Sequence, residues 1–259
     1  MKLTWLGTAA FVLESGKEKI LFDPFLQLRG GNVALSEEDL LRYDTVFITH
    51  CHFDHFSFAT EIVSEGDSTI FCTKQCVKTL EKFYDDGSSV VVEIEPDRTY
   101  PIGGVSITPL RAKHIEFQYR HLFDTLTPWR MIRYAGNLPF LLWANRHFKE
   151  AGEIVAFDIQ AEGREILLLG SLGLDDTETY PQHADVLVLP YQGNNDLPER
   201  AREVISRLQP KSIILSHFDN AFPPMSRDVD LRPFKKMMEE NFPAVRVIKP
   251  VPEKAMTIG

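Results

Sequence analysis

Cysteines and long apolar runs are scarce in this sequence, and each scarcity excludes a class of protein. The 259 residues include three cysteines, Cys51, Cys72 and Cys76. So few cysteines disfavour a disulfide framework and predict reduced thiols in a cytoplasmic protein. Cys72 and Cys76 have no second cysteine pair, so a structural zinc site is not expected there. The apolar stretches are far shorter than a membrane span, so no transmembrane segment is predicted.

Basic residues are also in deficit. The chain has 28 Lys and Arg against 37 Asp and Glu, a formal net charge of -9. This balance argues against nucleic acid bound over a broad surface, because such binding relies on a basic patch. It remains compatible with a small anionic substrate in a local positive site. The length and composition fit one large globular domain or two small ones, and a single domain over residues 1–259 is predicted.

Strand and helix patterns alternate in both halves of the chain. The opening "KLTWLGTAAFVLES" predicts a first strand and lacks the pattern of a secretory signal. Later, "ADVLVLP", "LPERAREVISRLQP" and "KSIILSH" predict strand, helix and strand. Such alternation with short links predicts a layered α/β fold.

Residues 115–150 depart from this pattern. Aromatic and aliphatic side chains alternate with arginine at roughly helical spacing, which predicts an insertion of one or two helices. The segment follows His114 directly, so it is a candidate lid, and a helix pair packed on the outside or a dimer contact are the alternatives. A lid would suit an amphiphilic anion through these residues: Phe117, Tyr119, Arg120, Phe123, Trp129, Arg130, Arg133, Tyr134, Phe140 and Trp143.

Three predicted strands end in a histidine, at His50, His114 and His217. Ligands gather at the carboxyl ends of strands in layered α/β folds, so these distant residues can meet at one edge. Three other histidines end no strand pattern and are expected to be structural: His121, His147 and His183.

The stretch "HCHFDH", residues 50–55, adds further candidate ligands at the same place. Imidazoles two residues apart in an extended loop can point to the same side, and the next two candidates would face a neighbouring point. Two triads are therefore predicted: His50, His52 and His114, and Asp54, His55 and His217. Such ligands suit zinc, with manganese or iron as alternatives. Three protein ligands leave a position open for water, as in catalytic sites.

"THCHFDH" resembles the H-x-H-x-D-H motif of the metallo-β-lactamase superfamily of metal-dependent hydrolases. The opening segment and "LPYQGNNDLPERAREVISRLQPKSIILSH" resemble the branch that includes L-ascorbate-6-phosphate lactonase and N-acylphosphatidylethanolamine-hydrolysing phospholipase D. The resemblance implies an αββα sandwich and one or two divalent metal ions held by the two triads. Asp54 would also orient the attacking water or carry its proton. Asp23, in "LFDPF", would orient a ligand histidine or cap a turn.

Position 171 departs from the family pattern, which usually places a bridging aspartate after "LLLG". This chain has Ser171 there. Three hypotheses follow. The favoured one has two metals bridged only by hydroxide. In the second, one metal is held firmly and the other weakly, and in the third, Asp175 or Asp176 replaces the missing carboxylate.

The leading functional hypothesis is a hydrolase that uses a metal-bound hydroxide on an ester-like bond of a small molecule, with lactones and phosphodiesters first among the candidates. The alternatives are a flavodiiron-like oxidoreductase and a non-catalytic metal-binding protein. In flavodiiron relatives glutamate typically stands where His52 stands here, and a flavodoxin-like domain follows. The sequence leaves the oligomeric state open, including a homo-oligomer.

Overall fold

The computed structural model describes residues 1–83, 88–115, 126–149, 151–194 and 196–259. Two mixed β-sheets lie at the centre of this part of the chain, and helices pack on their outer faces. The expected αββα sandwich is therefore confirmed. Among the helices described, none has the length and apolar character needed to cross a membrane.

The described residues form fifteen strands. They are β1 (Lys2–Gly7), β2 (Ala10–Ser15), β3 (Glu18–Phe22), β4 (Thr45–Phe47), β5 (Thr69–Cys72), β6 (Val90–Glu93), β7 (Tyr100–Ile102), β8 (Val105–Lys113), β9 (Ile154–Ala161), β10 (Arg164–Leu169), β11 (Gly173–Leu174), β12 (Val186–Pro190), β13 (Ser212–Ser216), β14 (Arg246–Ile248) and β15 (Ala255–Thr257).

Eight α-helices are described in the same residues, together with a 3-10 turn at Ala135–Asn137. They are α1 (Glu37–Leu41), α2 (Phe53–Phe56), α3 (Ala59–Glu65), α4 (Lys74–Leu80), α5 (Pro128–Arg133), α6 (Leu138–His147), α7 (Leu197–Leu208) and α8 (Arg232–Asn241).

The first sheet has the order β15-β1-β2-β3-β4-β5-β6, and the second has the order β11-β8-β9-β10-β12-β13-β14, with β7 paired to β8. Strands β3 to β6 run parallel to one another, as do β10, β12, β13 and β14. Each sheet therefore has an edge at which the carboxyl ends of several strands meet, and the candidate ligands follow these ends.

Side-chain alternation along the strands builds the core. In β3, Ile20 and Phe22 belong to the apolar cluster between the sheets, whereas Leu21 faces the helices outside. Phe47 of β4 meets Phe157 of β9 at a centroid distance of 5.5 Å. Because helices cover the outer face of the sheet as well, its strands read as continuous apolar runs.

The opening segment, expected as one strand, forms the hairpin β1–β2. Thr8 lies in the turn with a φ of 51°, a left-handed conformation. The turn allows the Thr8 carbonyl to accept a hydrogen bond from the His217 amide at 2.8 Å. The break in the strand pattern therefore brings the first hairpin to the carboxyl end of β13.

Within the 115–150 segment, α5 and α6 are described, whereas residues 116–125 and 150 lie outside the described part of the chain. Four of the lid candidates fall there: Phe117, Tyr119, Arg120 and Phe123. Asn137, between α5 and α6, donates hydrogen bonds to the carbonyls of Pro223 at 2.7 Å and Arg29 at 3.0 Å. Phe140 lies 6.4 Å, centroid to centroid, from Phe53. The helix pair is thus fixed beside the segment that carries the histidine cluster.

Candidate metal centre

The structure brings all six candidate ligands to one edge of the sandwich, in two groups. Within each group the ligand atoms lie within 4.8 Å of one another. The groups are His50, His52 and His114, and Asp54, His55 and His217. The rings of His50 and His55 lie 4.1 Å apart, centroid to centroid, so the two groups are neighbours.

The local backbone explains how one short stretch serves both groups. After β4 the chain stays extended, and His52 has φ -76° and ψ 147°. Side chains two apart in an extended chain share a side, so His50 and His52 point together. The single turn of α2 then places Asp54 and His55 next to each other, and both are buried.

The second sheet supplies the other two histidines. His114 follows β8, and His217 follows β13 with a φ of 59°. Thr8 and Asp23, which contact this region, also have positive φ values, of 51° and 47°. Non-glycine residues in this conformation are strained and cluster at functional sites.

Asp23 and Thr49 orient two of the histidines. The Asp23 carboxylate accepts hydrogen bonds from the Thr49 amide at 2.7 Å, the Thr49 hydroxyl at 2.8 Å and His55 Nδ1 at 2.9 Å. The Thr49 hydroxyl donates its only proton to Asp23, so it can only accept from His50 Nδ1, 3.0 Å away. Both imidazoles therefore carry their proton on Nδ1 and present a lone pair on Nε2.

Hydrogen-bond acceptors also hold Nδ1 of the two histidines that follow strands of the second sheet. His114 Nδ1 lies 2.7 Å from the Ile115 carbonyl, and His217 Nδ1 lies 3.0 Å from Oε1 of Gln192. Nε2 of each ring is therefore the atom free to act as a ligand. Hydrogen bonds of this kind fix the tautomer and ring orientation of metal-binding histidines.

Burial and neighbouring charges shift the pKa values of the cluster. Burial, followed by the nearby His55, lowers the pKa of His50 well below its ordinary value, and burial lowers the pKa of His52 to about 4. Burial opposes ionisation of Asp54 as well, but hydrogen bonding to His217 and the charges of His55 and His217 outweigh it and lower the pKa. Burial is likewise outweighed at His55, whose pKa is raised by the Asp23 carboxylate.

These donor atoms fit a divalent cation. The Nε2 atoms of His55 and His217 lie 3.1 Å apart, and both rings donate through Nδ1 to other acceptors. Two lone pairs facing each other at this distance need a proton or a cation between them. Asp54 Oδ2, 3.2 Å from His217 Nε2, adds negative charge at the same point. Imidazole and carboxylate ligands with this arrangement match zinc, manganese or iron.

Position 171 contributes a hydroxyl that is already engaged. Ser171 is buried, and its Oγ accepts a hydrogen bond from the Ile115 amide at 3.0 Å. Asp175 accepts hydrogen bonds from Thr177, and Asp176 lies 3.0 Å from Lys113 Nζ with its side chain largely exposed. Neither aspartate joins the ligand groups in this conformation, which weakens the hypothesis that one replaces the missing carboxylate.

Several residues around the site were not anticipated from the sequence. Thr49 links Asp23 to His50, and Gln192 accepts from His217. Asp219, which is 2% exposed, accepts hydrogen bonds from the Thr8 amide at 3.1 and 3.2 Å. Gln192 follows β12, so the rule that linked the strand-end histidines could have found it.

The beta-lactamase superfamily domain matches residues 2–217 of the chain. A UPF0173 metal-dependent hydrolase of Methanopyrus kandleri is 26% identical over 252 residues, which cover 93% of this chain and 92% of that protein.

Solved structures with the same fold include Igni18, a metallo hydrolase from Ignicoccus hospitalis, with a TM-score of 0.64 and 20% identity. The match covers 100% of this chain and 99% of that one. An isothiocyanate hydrolase from Delia radicum gut bacteria has a TM-score of 0.61 and 19% identity, with 99% of both chains covered. The family match over residues 2–217, with a site built on the family's motif, shows that this chain belongs to the beta-lactamase superfamily.

Proposed function

We propose that the chain, a metal-dependent hydrolase of the beta-lactamase superfamily, cleaves an ester-like bond in a small molecule, with lactones and phosphodiesters as the first candidates. Its six ligands would hold two divalent ions, zinc first and manganese or iron as alternatives. The observation that carries the proposal is the convergence of four histidine rings whose Nδ1 atoms are held by Asp23, Thr49, Ile115 and Gln192. Nε2 of each ring is thereby left as the ligand atom.

Divalent ions in such a site would lower the pKa of water to about 7 and polarise the substrate oxygen. The protein's own contribution begins with Asp54. Its lowered pKa keeps the carboxylate ionised at neutral pH, so it would serve as a metal ligand and could orient the attacking water by accepting a hydrogen bond. The low pKa values of His50 and His52 keep these imidazoles neutral, as metal ligation requires.

Aromatic side chains next to the site support a substrate with an apolar part. Phe53, between two of the ligands in sequence, lies 5.0 Å from Phe222 and 6.0 Å from Phe25, centroid to centroid. Phe140 of α6 extends this group. Arg133 on α5, one of the lid residues predicted from the sequence, is exposed and could meet an anionic group. The proposed substrate is therefore an amphiphile with an anionic group.

Metal content and activity measured on the same preparation test the function. We expect about two equivalents of metal in the wild-type protein and hydrolysis of a member of a lactone and phosphodiester panel. The His114→Ala variant should lose one equivalent of metal. Its activity should fall on the order of 100-fold, the upper end of the loss when a residue that supports a metal ligand is removed.

His183→Ala is the matched control, because His183 is exposed and lies outside both ligand groups. It should retain metal and activity. A wild-type protein that carries metal and cleaves nothing in the panel, or a His114→Ala variant with full activity, would overturn the proposal. An iron-loaded protein whose absorption spectrum changes when the iron is oxidised or reduced would favour an oxidoreductase instead.

A further inference from the structure

The side-chain amide of Gln192 has one orientation that satisfies both of its neighbours. Its Nε2 donates to the Arg227 carbonyl at 3.2 Å, and its Oε1 lies 3.0 Å from His217 Nδ1. A carbonyl can only accept, so the nitrogen end of the amide belongs at Arg227. The oxygen end must then face His217, where it can only accept a hydrogen bond from Nδ1–H.

The backbone of His217 is held by other groups. Its amide donates to the Thr8 carbonyl at 2.8 Å, and the Asp219 carboxylate in turn accepts from the Thr8 amide. Strand β13 ends one residue earlier, where the Ser216 carbonyl accepts from the Tyr191 amide at 2.9 Å. The His217 backbone is therefore held without Gln192, whereas Nδ1 of its ring contacts the Gln192 oxygen.

We propose that Gln192 is a positioning residue that selects the Nδ1–H tautomer of His217 and so allows the second triad to hold its metal ion. The proposal rests on the two-metal site of the proposed function. Because Ser171 supplies no bridging carboxylate, three ligands remain for each ion, and in the second triad these are Asp54, His55 and His217. Nδ1 of His55 is held by the Asp23 carboxylate, whereas Nδ1 of His217 is held by the neutral amide of Gln192.

The Gln192→Met variant tests this with little change in side-chain volume. Its thioether sulfur is too weak an acceptor to replace the amide oxygen. In the metal-free protein, nitrogen-15 NMR of the histidine rings should show His217 as the Nδ1–H tautomer in the wild type and as a mixture in the variant. Metal titration should show a 10- to 100-fold weaker second site, the usual loss when such a partner is removed, with the first site unchanged.

Two companion variants make the result specific. Gln192→Glu loses the donor to the Arg227 carbonyl, as Gln192→Met does, but keeps an acceptor for His217 Nδ1. It should therefore restore the tautomer and the second equivalent of metal. Gln182→Met is the matched control, because exposed Gln182 also donates to a carbonyl, that of Arg207, at 3.5 Å but contacts no histidine. It should behave as the wild type.

The readouts separate this proposal from the function on which it rests. A wild-type protein that binds no metal would overturn the two-metal site, while the NMR result would still report on Gln192. A Gln192→Met variant with an unchanged His217 tautomer, or with both metals bound as in the wild type, would overturn the positioning role. Similar melting temperatures of the variants would show that fold stability does not explain the difference.

Discussion

At the scale of single residues, the site depends on where protons are placed. Asp23 illustrates this, because its carboxylate accepts three hydrogen bonds from Thr49 and His55 and is fully buried. The sequence left two roles open for it, a turn before Pro24 or an orienter of a histidine. The contacts with His55 favour the second, since each buried acceptor oxygen is occupied by a donor beside the ligands.

Ser171→Asp is the substitution that tests what the missing carboxylate means. The residue is buried beside His114, and an aspartate oxygen can keep the hydrogen bond from the Ile115 amide. We expect the added negative charge to tighten binding of the second metal at least about tenfold, equivalent to roughly 1.4 kcal/mol. Competition with a chromophoric chelator measures the change.

Ser88→Asp, at an exposed position, controls for the added charge. Equal metal affinity of Ser171→Asp and the wild type would contradict the expectation and would mean that position 171 does not reach the metals.

At the scale of elements, strand ends and close approaches set the geometry. Strand β10 ends at Leu169, and the next residue, Gly170, lies against Thr49. A Cβ at position 170 would fall 2.5 Å from the Thr49 Cβ, closer than real contacts allow. The Thr49 carbonyl also accepts a hydrogen bond from the Val155 amide of β9 at 3.1 Å. The two sheets thus meet at the residue that orients His50.

Helices α5 and α6 carry exposed apolar side chains beside this edge. Trp129 and Ile132 are 68% and 72% exposed, and Leu142 is 65% exposed. Such residues contribute little to the stability of an isolated chain. We propose that they contact the apolar part of the substrate. Trp129 belongs to the lid residues predicted from the sequence, whereas Ile132 and Leu142 are added by the structure.

The double variant Trp129→Ser and Ile132→Ser should raise KM for a long-chain anionic substrate several-fold and leave KM for its short-chain analogue unchanged. The free energy of unfolding should shift by only about 0.5 kcal/mol, as is usual for surface positions. Steady-state kinetics on the two substrates measure the difference, and Val251→Ser, at another exposed apolar position, is the control.

If the double variant has a lower molecular mass in solution than the wild type but the same KM, these residues form a dimer contact instead. Equal effects on both substrates would exclude recognition of the apolar chain.

At the scale of the whole molecule, the metal site joins the two sheets. Four of the proposed ligands follow β4 in the first sheet, and His114 and His217 follow β8 and β13 in the second. A bound ion would therefore link both halves of the sandwich in the folded state and have no equivalent partner in the unfolded chain. Binding of this kind stabilises a protein by mass action.

Removing metal with a chelator should consequently lower the melting temperature. Metal at 100 times its Kd would contribute about 2.7 kcal/mol, which corresponds to roughly 5–10 °C for a chain of this size. Differential scanning calorimetry before and after chelation measures the shift, and added zinc should reverse it. Superimposable melting curves with and without the chelator would contradict a metal link between the sheets.

The sequence by itself determined the layered fold and the residue types of the site, because strand patterns that end in histidine and the "HCHFDH" stretch are local features. The confirmed sandwich and the two converging triads follow from them. Hydrogen bonds between distant residues were decided only by the tertiary structure. The sheet edges bring Gln192 to His217 and Asp23 to His55. No spacing in the sequence encodes which nitrogen of a histidine carries the proton.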